Sequence, residues 1–381
     1  MMLCLTTTVG AAFLLAARVA GEPAVARAPA PTPAPRLENE KRDATTCTFS
    51  GSAGYSLVSA SKAACSTIVL SALTVPAGVT LDLEDLNDST TVTFEGNTTF
   101  GYSEWDGPLF SVSGNNVTVR GAEGSVLDGQ GALYWDGKGG SGGVTKPKFF
   151  KANNLNDSVL DSITIRNAPK NSFSLNYVNN LLVKDIVVDD RDGSELGKNT
   201  DAFNINNADG VTITGATVWN QDDCVAINSG ENIWFSNGFC SGGHGLSIGS
   251  IGNRTNNVVR NVTFTDTVME DSQQSVRIKT ISYANGTVED ITYRNIAMSG
   301  GTDYGIIVMQ SYNGVDGEPT NGVSIADIVL QNVTGTVESD AVNIYVECGE
   351  GSCSDWTWTD VSVTGGKDSS DCINVPEGVS C

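Results

Sequence analysis

The chain repeats itself in phase, and few folds permit that. Short β-branched runs recur between Asn, Gly and Asp: Asn116-Val-Thr-Val-Arg120, Ser162-Ile-Thr-Ile-Arg166, Gly210-Val-Thr-Ile-Thr214, Asn261-Val-Thr-Phe-Thr265 and Asp290-Ile-Thr-Tyr-Arg294. A second series lies between them: Ala202-Phe-Asn-Ile205, Cys224-Val-Ala-Ile227, Gly245-Leu-Ser-Ile248, Ser275-Val-Arg-Ile278 and Gly305-Ile-Ile-Val308. Each run alternates with period two between turn formers. That is strand grammar, with almost no helical periodicity. Several strands per repeat, at a repeat length of about 20–33 residues, describe a solenoid. A sandwich or barrel would not repeat in phase. The expected fold is all-β, a right-handed parallel β-helix in a single domain. In such a helix, equivalent positions of successive coils stack at about 4.8 Å. A constant offset in sequence then becomes adjacency in space.

The N-terminus reads as processing signal. Leu3 to Ala17 is mostly apolar, too short to span a bilayer, and followed by small residues, so residues 1–20 are expected to be a signal peptide. Pro23, Pro29, Pro31, Pro33 and Pro35 then make an extended segment that ends at the dibasic pair Lys41-Arg42. Residues 21–42 are expected to be a propeptide and 43–381 the β-helix catalytic domain. The product would be secreted and extracellular, and no later apolar run would hold it to a membrane.

Of nine cysteines, Cys4 leaves with the signal peptide and eight remain. An even number in an oxidising compartment points to disulfides. Eight cysteines permit about a hundred pairings. Coils that bring nearby segments together favour Cys47–Cys65, Cys224–Cys240, Cys348–Cys353 and Cys372–Cys381. Zinc would need a CxxC pair or several histidines, and the chain has one histidine. No metal and no cofactor are expected.

Residues 1–42 carry five basic and three acidic residues, so their loss takes the net charge from −22 to −24. A nucleic-acid partner would call for the opposite balance. A polyanion would have to be held by local cations against a repelling global field. Eight Asn-x-Ser/Thr sequons, at Asn87, Asn97, Asn116, Asn156, Asn253, Asn261, Asn285 and Asn332, permit glycosylation.

Four clusters carry candidate chemistry: Asn199-Thr200-Asp201, Gln221-Asp222-Asp223, Gly243-His244-Gly245 and Arg277-Ile278-Lys279. Asp201 precedes Asp222 by 21 residues, and Asp223 precedes His244 by 21. One coil of that length would stack Asp201 beside Asp222 and Asp223 beside His244. An Asp-Asp pair alone is a common turn. Three clustered carboxylates repel one another, so one proton is retained. A retained proton is what a general acid needs, and glycoside hydrolysis needs one acid and one base. The glycines around His244 allow close backbone approach. Arg277 and Lys279 lie two apart on a strand and share a face, with Ile278 turned to the core. They serve either as charge compensation or as a fork and a point charge for a substrate carboxylate. Tyr312 follows Lys279 by 33 residues, the same step as from His244 to Arg277, and could stack on a sugar.

In this order and at these intervals, the four motifs resemble those of the polygalacturonases, glycoside hydrolases that degrade homogalacturonan. The resemblance extends through Trp135-Asp-Gly-Lys138, Lys146-Pro-Lys-Phe-Phe150, Asn228-Ser-Gly-Glu-Asn-Ile-Trp234 and Cys353-Ser-Asp-Trp-Thr-Trp358, and is closest to the fungal endo-acting enzymes. It implies endo-hydrolysis of α-1,4-galacturonosyl linkages in polygalacturonate (pectin) with inversion. Asp222 matches the general acid, Asp201 and Asp223 the carboxylates that activate water, and His244 the residue that maintains the acid's protonation. Arg277 and Lys279 match the pair that binds the galacturonate carboxylate, Tyr312 a substrate contact, and Asn199 a residue beside the site. The expected partner is the pectin polymer, bound by a monomer. Two positions depart from the family's usual pattern: Asn204 and Ser311 stand where Asp is frequent. The alternatives are an exo-acting polygalacturonase, a calcium-dependent pectate lyase, and a β-helix without catalysis.

Overall fold

A computed structural model describes residues 45–381; the expected signal peptide and propeptide lie outside them. Twenty-eight strands join in one continuous sheet that winds as a right-handed parallel β-helix. The hand is the one that parallel crossovers take. Three ladders run its length. In the first, Phe110 pairs with Phe150, Phe150 with Phe173, Phe173 with Phe203, Phe203 with Val225, Val225 with Leu246 and Leu246 with Val276, always parallel. A second joins Val159, Leu182, Thr212, Trp234 and Thr263. A third joins Ile165, Val188, Val218, Cys240 and Met269.

The period-two alternation sends every second side chain inward. Because register is constant, like stacks on like. Ring centroids of Phe110 and Phe150 lie 4.5 Å apart, Phe150 and Phe173 5.0 Å, and Phe173 and Phe203 5.4 Å. The chain must bend sharply between ladders, and Asn and Asp supply the left-handed residues: Asn116, Asn180, Asn207, Asn237 and Asp266 all have φ between 49° and 55°. Their short polar side chains tolerate that region better than most. This accounts for the Asn and Asp between the β-branched runs. Phe173 is fully buried in the middle of the aromatic stack. We expect Phe173→Ala to cost about 3–5 kcal/mol, seen as a lower urea midpoint; a loss under 1 kcal/mol would mean that the stack relaxes around the hole.

The ends of the solenoid are closed. The helix Gly51–Ser61 lies over the first coil and buries Val58. Gly54 permits that approach, since a Cβ there would meet the carbonyl carbon of Phe49 at 2.9 Å. The sequence does not announce this helix, because its short apolar face is weakly periodic. All four expected disulfides are present. Two of them tie down the last 34 residues, Cys348 to Cys381, where Trp356 stacks on Trp358. No helix among the described residues is long and apolar enough to cross a membrane.

Candidate active site

The motifs meet just ahead of three neighbouring strands, Phe203–Asn206, Val225–Ile227 and Leu246–Ile251. The ladder steps by 22 residues from Phe203 to Val225 and by 21 from Val225 to Leu246. Asp201 is therefore level with Asp223, not with Asp222 as a uniform 21-residue coil implies; the Ala202 N–H donates to the Asp223 carbonyl at 3.0 Å. The additional residue is accommodated at Asp222, which turns toward His244. The His244 N–H donates to the Asp222 carbonyl at 2.8 Å, and His244 Nδ1 lies 3.1 Å from Asp222 Oδ1. His244 thus serves Asp222, although its register is that of Asp223.

Polar groups within the motifs hold this turn. Asn220, buried, donates from Nδ2 to the carbonyls of Thr200, Asp222 and Asp223 at 2.9, 3.0 and 3.1 Å. Gln221 donates from its backbone to Thr200 Oγ1 at 2.9 Å and from Nε2 to the Asp190 carbonyl at 2.7 Å. The glycines beside His244 are required: a Cβ on Gly243 would come 2.2 Å from the Asp222 carbonyl oxygen, and one on Gly245, at φ 88°, 2.4 Å from that of Gln274.

The three carboxylates are buried, with Asp201 7%, Asp222 9% and Asp223 2% exposed. Burial, then the charges of Asp222 and Asp223, push the Asp201 carboxyl up to about 7, against a weaker opposing hydrogen bond from Asn204 Nδ2 at 3.0 Å. Burial acts on Asp222 in the same sense. There the hydrogen bond and charge of His244, with the charge of Lys279, outweigh it and hold the carboxyl below the usual range. Asp222 also accepts from Asn199 Nδ2 at 3.0 Å and from the Asp223 N–H at 2.8 Å. The cluster titrates as a unit. These effects favour a proton on Asp201 over one on Asp222, and Asp222 faces His244.

Asp223 is enclosed by donors. Lys279 Nζ lies 2.7 Å away, Ser247 Oγ 2.5 Å and Arg277 Nη1 3.7 Å. Arg277 and Lys279 face out together and Ile278 is buried, as the alternation requires. Lys279 is only 5% exposed, so charge compensation is part of its role. Tyr312 covers both cations, its ring 5.7 Å from Arg277 Cζ and 5.6 Å from Lys279 Nζ. It arrives there without being in ladder register with Lys279, which pairs with Met309. Asn199 bridges the site to a glycine-rich loop: its Oδ1 accepts the Gly140 N–H at 2.8 Å.

All eight expected site residues line one cleft of about 720 Å³. Lys138, Lys198 and Arg254 line it as well, and sequence reasoning did not single them out as binding groups. Lys138 and Lys198 had a signal, since each adjoins or ends a quoted motif. Arg254 lies in a loop between strands and had none. Of the two departures, Asn204 donates to Asp201. The negative charge that Ser311 lacks is supplied from another strand by Glu347, whose carboxylate accepts the Ser311 hydroxyl. Asp222, Asp223 and His244 place ligand atoms within 4.8 Å of one another. The set fits calcium poorly, because calcium takes about 6–8 oxygens, and here one donor is nitrogen and Asp223 already faces an ammonium.

Comparison with known proteins agrees with this geometry. Residues 65–381 match the model of glycosyl hydrolases family 28. The chain is 57% identical over 354 residues to the probable endopolygalacturonase E of Aspergillus niger, covering 93% of this chain and 94% of that one. It is 55% identical over 372 residues to endopolygalacturonase I of Aspergillus aculeatus, covering 97% and 98%. Among solved structures, endopolygalacturonase I of Stereum purpureum complexed with two galacturonates superposes with a TM-score of 0.76 at 36% identity, covering 87% of this chain and 99% of that one. The chain belongs to glycosyl hydrolases family 28.

Proposed function

We propose that this protein is an endopolygalacturonase, hydrolysing α-1,4-galacturonosyl linkages within polygalacturonate with inversion. The observation that carries the reading is the cluster of three buried aspartates set against Arg277 and Lys279 in a single cleft. The naming of the relatives supports endo action.

Asp222 is the general acid that protonates the leaving glycosidic oxygen. Asp201 and Asp223 accept the proton of the attacking water. The proton starts on Asp201 in the free enzyme. A galacturonate carboxylate beside the cluster adds negative charge and raises the carboxyl that faces it, which moves the proton toward Asp222 on binding. His244 sets the balance by its contact with Asp222. Arg277, with Lys279 behind it, receives the substrate carboxylate, and Tyr312 packs on the sugar. Asn199 fixes the acid's orientation. Each turnover consumes one water: its oxygen joins the anomeric carbon as the glycosidic C–O bond breaks, Asp222's proton leaves on the released chain, and the proton that water gives the base restores the acid form of the cluster.

The protein is secreted as a monomer, after loss of residues 1–20 and then 21–42, and its N-terminal sequence should start at Asp43. The test is hydrolysis of polygalacturonate followed by NMR of the first anomer formed, with EDTA present. We expect a rapid viscosity drop, the inverted anomer and no loss to EDTA. The rate should fall as pH rises through about 7, because the cluster then gives up its proton. Unsaturated products and abolition by EDTA would instead establish a lyase.

A further inference from the structure

Two residues ahead of Phe150, Phe173, Phe203 and Val225, which pair in succession along the first ladder, a second row of positions follows the helix axis. Successive coils place Lys148, Asn171, Asp201 and Asp223 there, joined by the bonds Phe149 N–H to Asn171 carbonyl, Ser172 N–H to Asp201 carbonyl and Ala202 N–H to Asp223 carbonyl. Lys148 is therefore two coils before Asp201, about 10 Å along the axis. It belongs to the motif Lys146-Pro-Lys-Phe-Phe150, for which the chemistry at the aspartates has no use.

The three lysines of this segment differ in their partners. Lys146 is buried against Asp136 at 2.8 Å, and Lys151 lies 3.7 Å from Glu84. Lys148 is half-buried, and its one hydrogen bond is to Ser174 Oγ at 3.3 Å. Among the described residues no carboxylate lies within 4.0 Å of it. The charged groups around it are Lys170, Asp201, Lys151 and Arg254, three of them cations. Lys170 also lacks a carboxylate partner within 4.0 Å among the described residues. Its ammonium packs against Gly140, the residue whose N–H is bound by Asn199. In a chain of net charge −22, an unpaired pair of half-buried cations is out of place unless an anion from outside completes it.

We propose that Lys148, with Lys170 beside it, forms a carboxylate subsite for a uronate residue two coils to the N-terminal side of Asp201. The proposal rests on the galacturonan reading. A polymer lying along the helix axis passes from the aspartates over Asn171 to Lys148, with one acidic sugar after another available to the row. Such a site pulls long chains across the cleavage point and gives little to short ones.

The test is kcat/KM of Lys148→Met on galacturonate oligomers of increasing length. Methionine keeps the apolar stem and removes the charge. A charge-assisted hydrogen bond contributes about 1.5–3 kcal/mol, so the loss on chains that reach Lys148 should exceed the loss on the shortest hydrolysed oligomer by about 10–100-fold. Lys148→Arg should recover most of it. An equal loss at every length would overturn the subsite and leave Lys148 acting through Asp201 or through the fold. No loss at any length would overturn it too. If Lys148→Met does not fold, Lys170→Met carries the same length comparison from a more accessible position. A wild-type enzyme inactive on all lengths would instead sink the galacturonan reading, and this subsite with it.

Discussion

Asp222→Asn should lower kcat by about 10²–10⁴-fold while the protein stays folded. The change removes the transferable proton and the carboxylate that faces His244. The carboxylate oxygens accept from different donors, Oδ2 from Asn199 and Oδ1 from the Asp223 N–H, so the single amide oxygen keeps one of these bonds, while the bonds from Asn220 to the Asp222 and Asp223 carbonyls still hold the turn. Asp201→Asn should also abolish turnover, but its effect on stability has a different sign. The Asp201 carboxyl is raised by burial and by its two acidic neighbours, to about 7 in the fold from 3.8. Its contribution to stability is full below pH 3.8 and is lost as pH rises through 7. An amide cannot ionise, so Asp201→Asn should gain stability over the wild type above pH 7. Asp222→Asn should not, because it unpairs His244. Urea midpoints at pH 5 and pH 8, with kcat on polygalacturonate, separate the two residues. If Asp222→Asn retains more than about a hundredth of wild-type kcat, another group is the acid.

The solenoid was legible because its signal is repeated. Every coil writes the same alternation and the same Asn or Asp at the bend, so errors in one repeat are corrected by the next. The site was legible where it obeys that period. Arg277 and Lys279 share a face because they are two apart on a strand, and the glycines about His244 sit where a Cβ would collide. What escaped was local departure from the period. The coil between Asp201 and Asp223 is one residue longer than the coil after it, and that residue decides which aspartate receives His244. Contacts between distant coils escaped as well. Ser311 meets Glu347 across 36 residues, and Lys279 meets Asp223 across 56. Nothing in their local sequence marks them. Asn220 and Thr200 brace the turn through backbone carbonyls and a hydroxyl, and such roles have no signature beyond adjacency to the motif.

The contact between Lys279 and Asp223 sets the larger of the remaining expectations. Both are buried, at 5% and 2% exposure, and their atoms approach to 2.7 Å. If Lys279 only received the substrate, its loss would raise KM and leave kcat near wild type. In this geometry it also neutralises Asp223. Lys279→Met leaves a buried carboxylate with Ser247 and a more distant Arg277. Breaking one side of a buried pair costs about 3–5 kcal/mol, or Asp223 takes up a proton to avoid that cost. A protonated Asp223 can no longer accept a proton from water. Lys279→Met should therefore lower kcat as well as raise KM, and the kcat loss should grow as pH falls. Arg277→Lys keeps a positive charge on the side of Asp223 that Arg277 faces but loses the planar fork, so its defect should lie in KM. The pair of variants divides the two roles. A Lys279→Met enzyme with wild-type kcat, an unchanged pH profile and a raised KM would return Lys279 to substrate binding alone, and leave Asp223 held by Arg277 and Ser247.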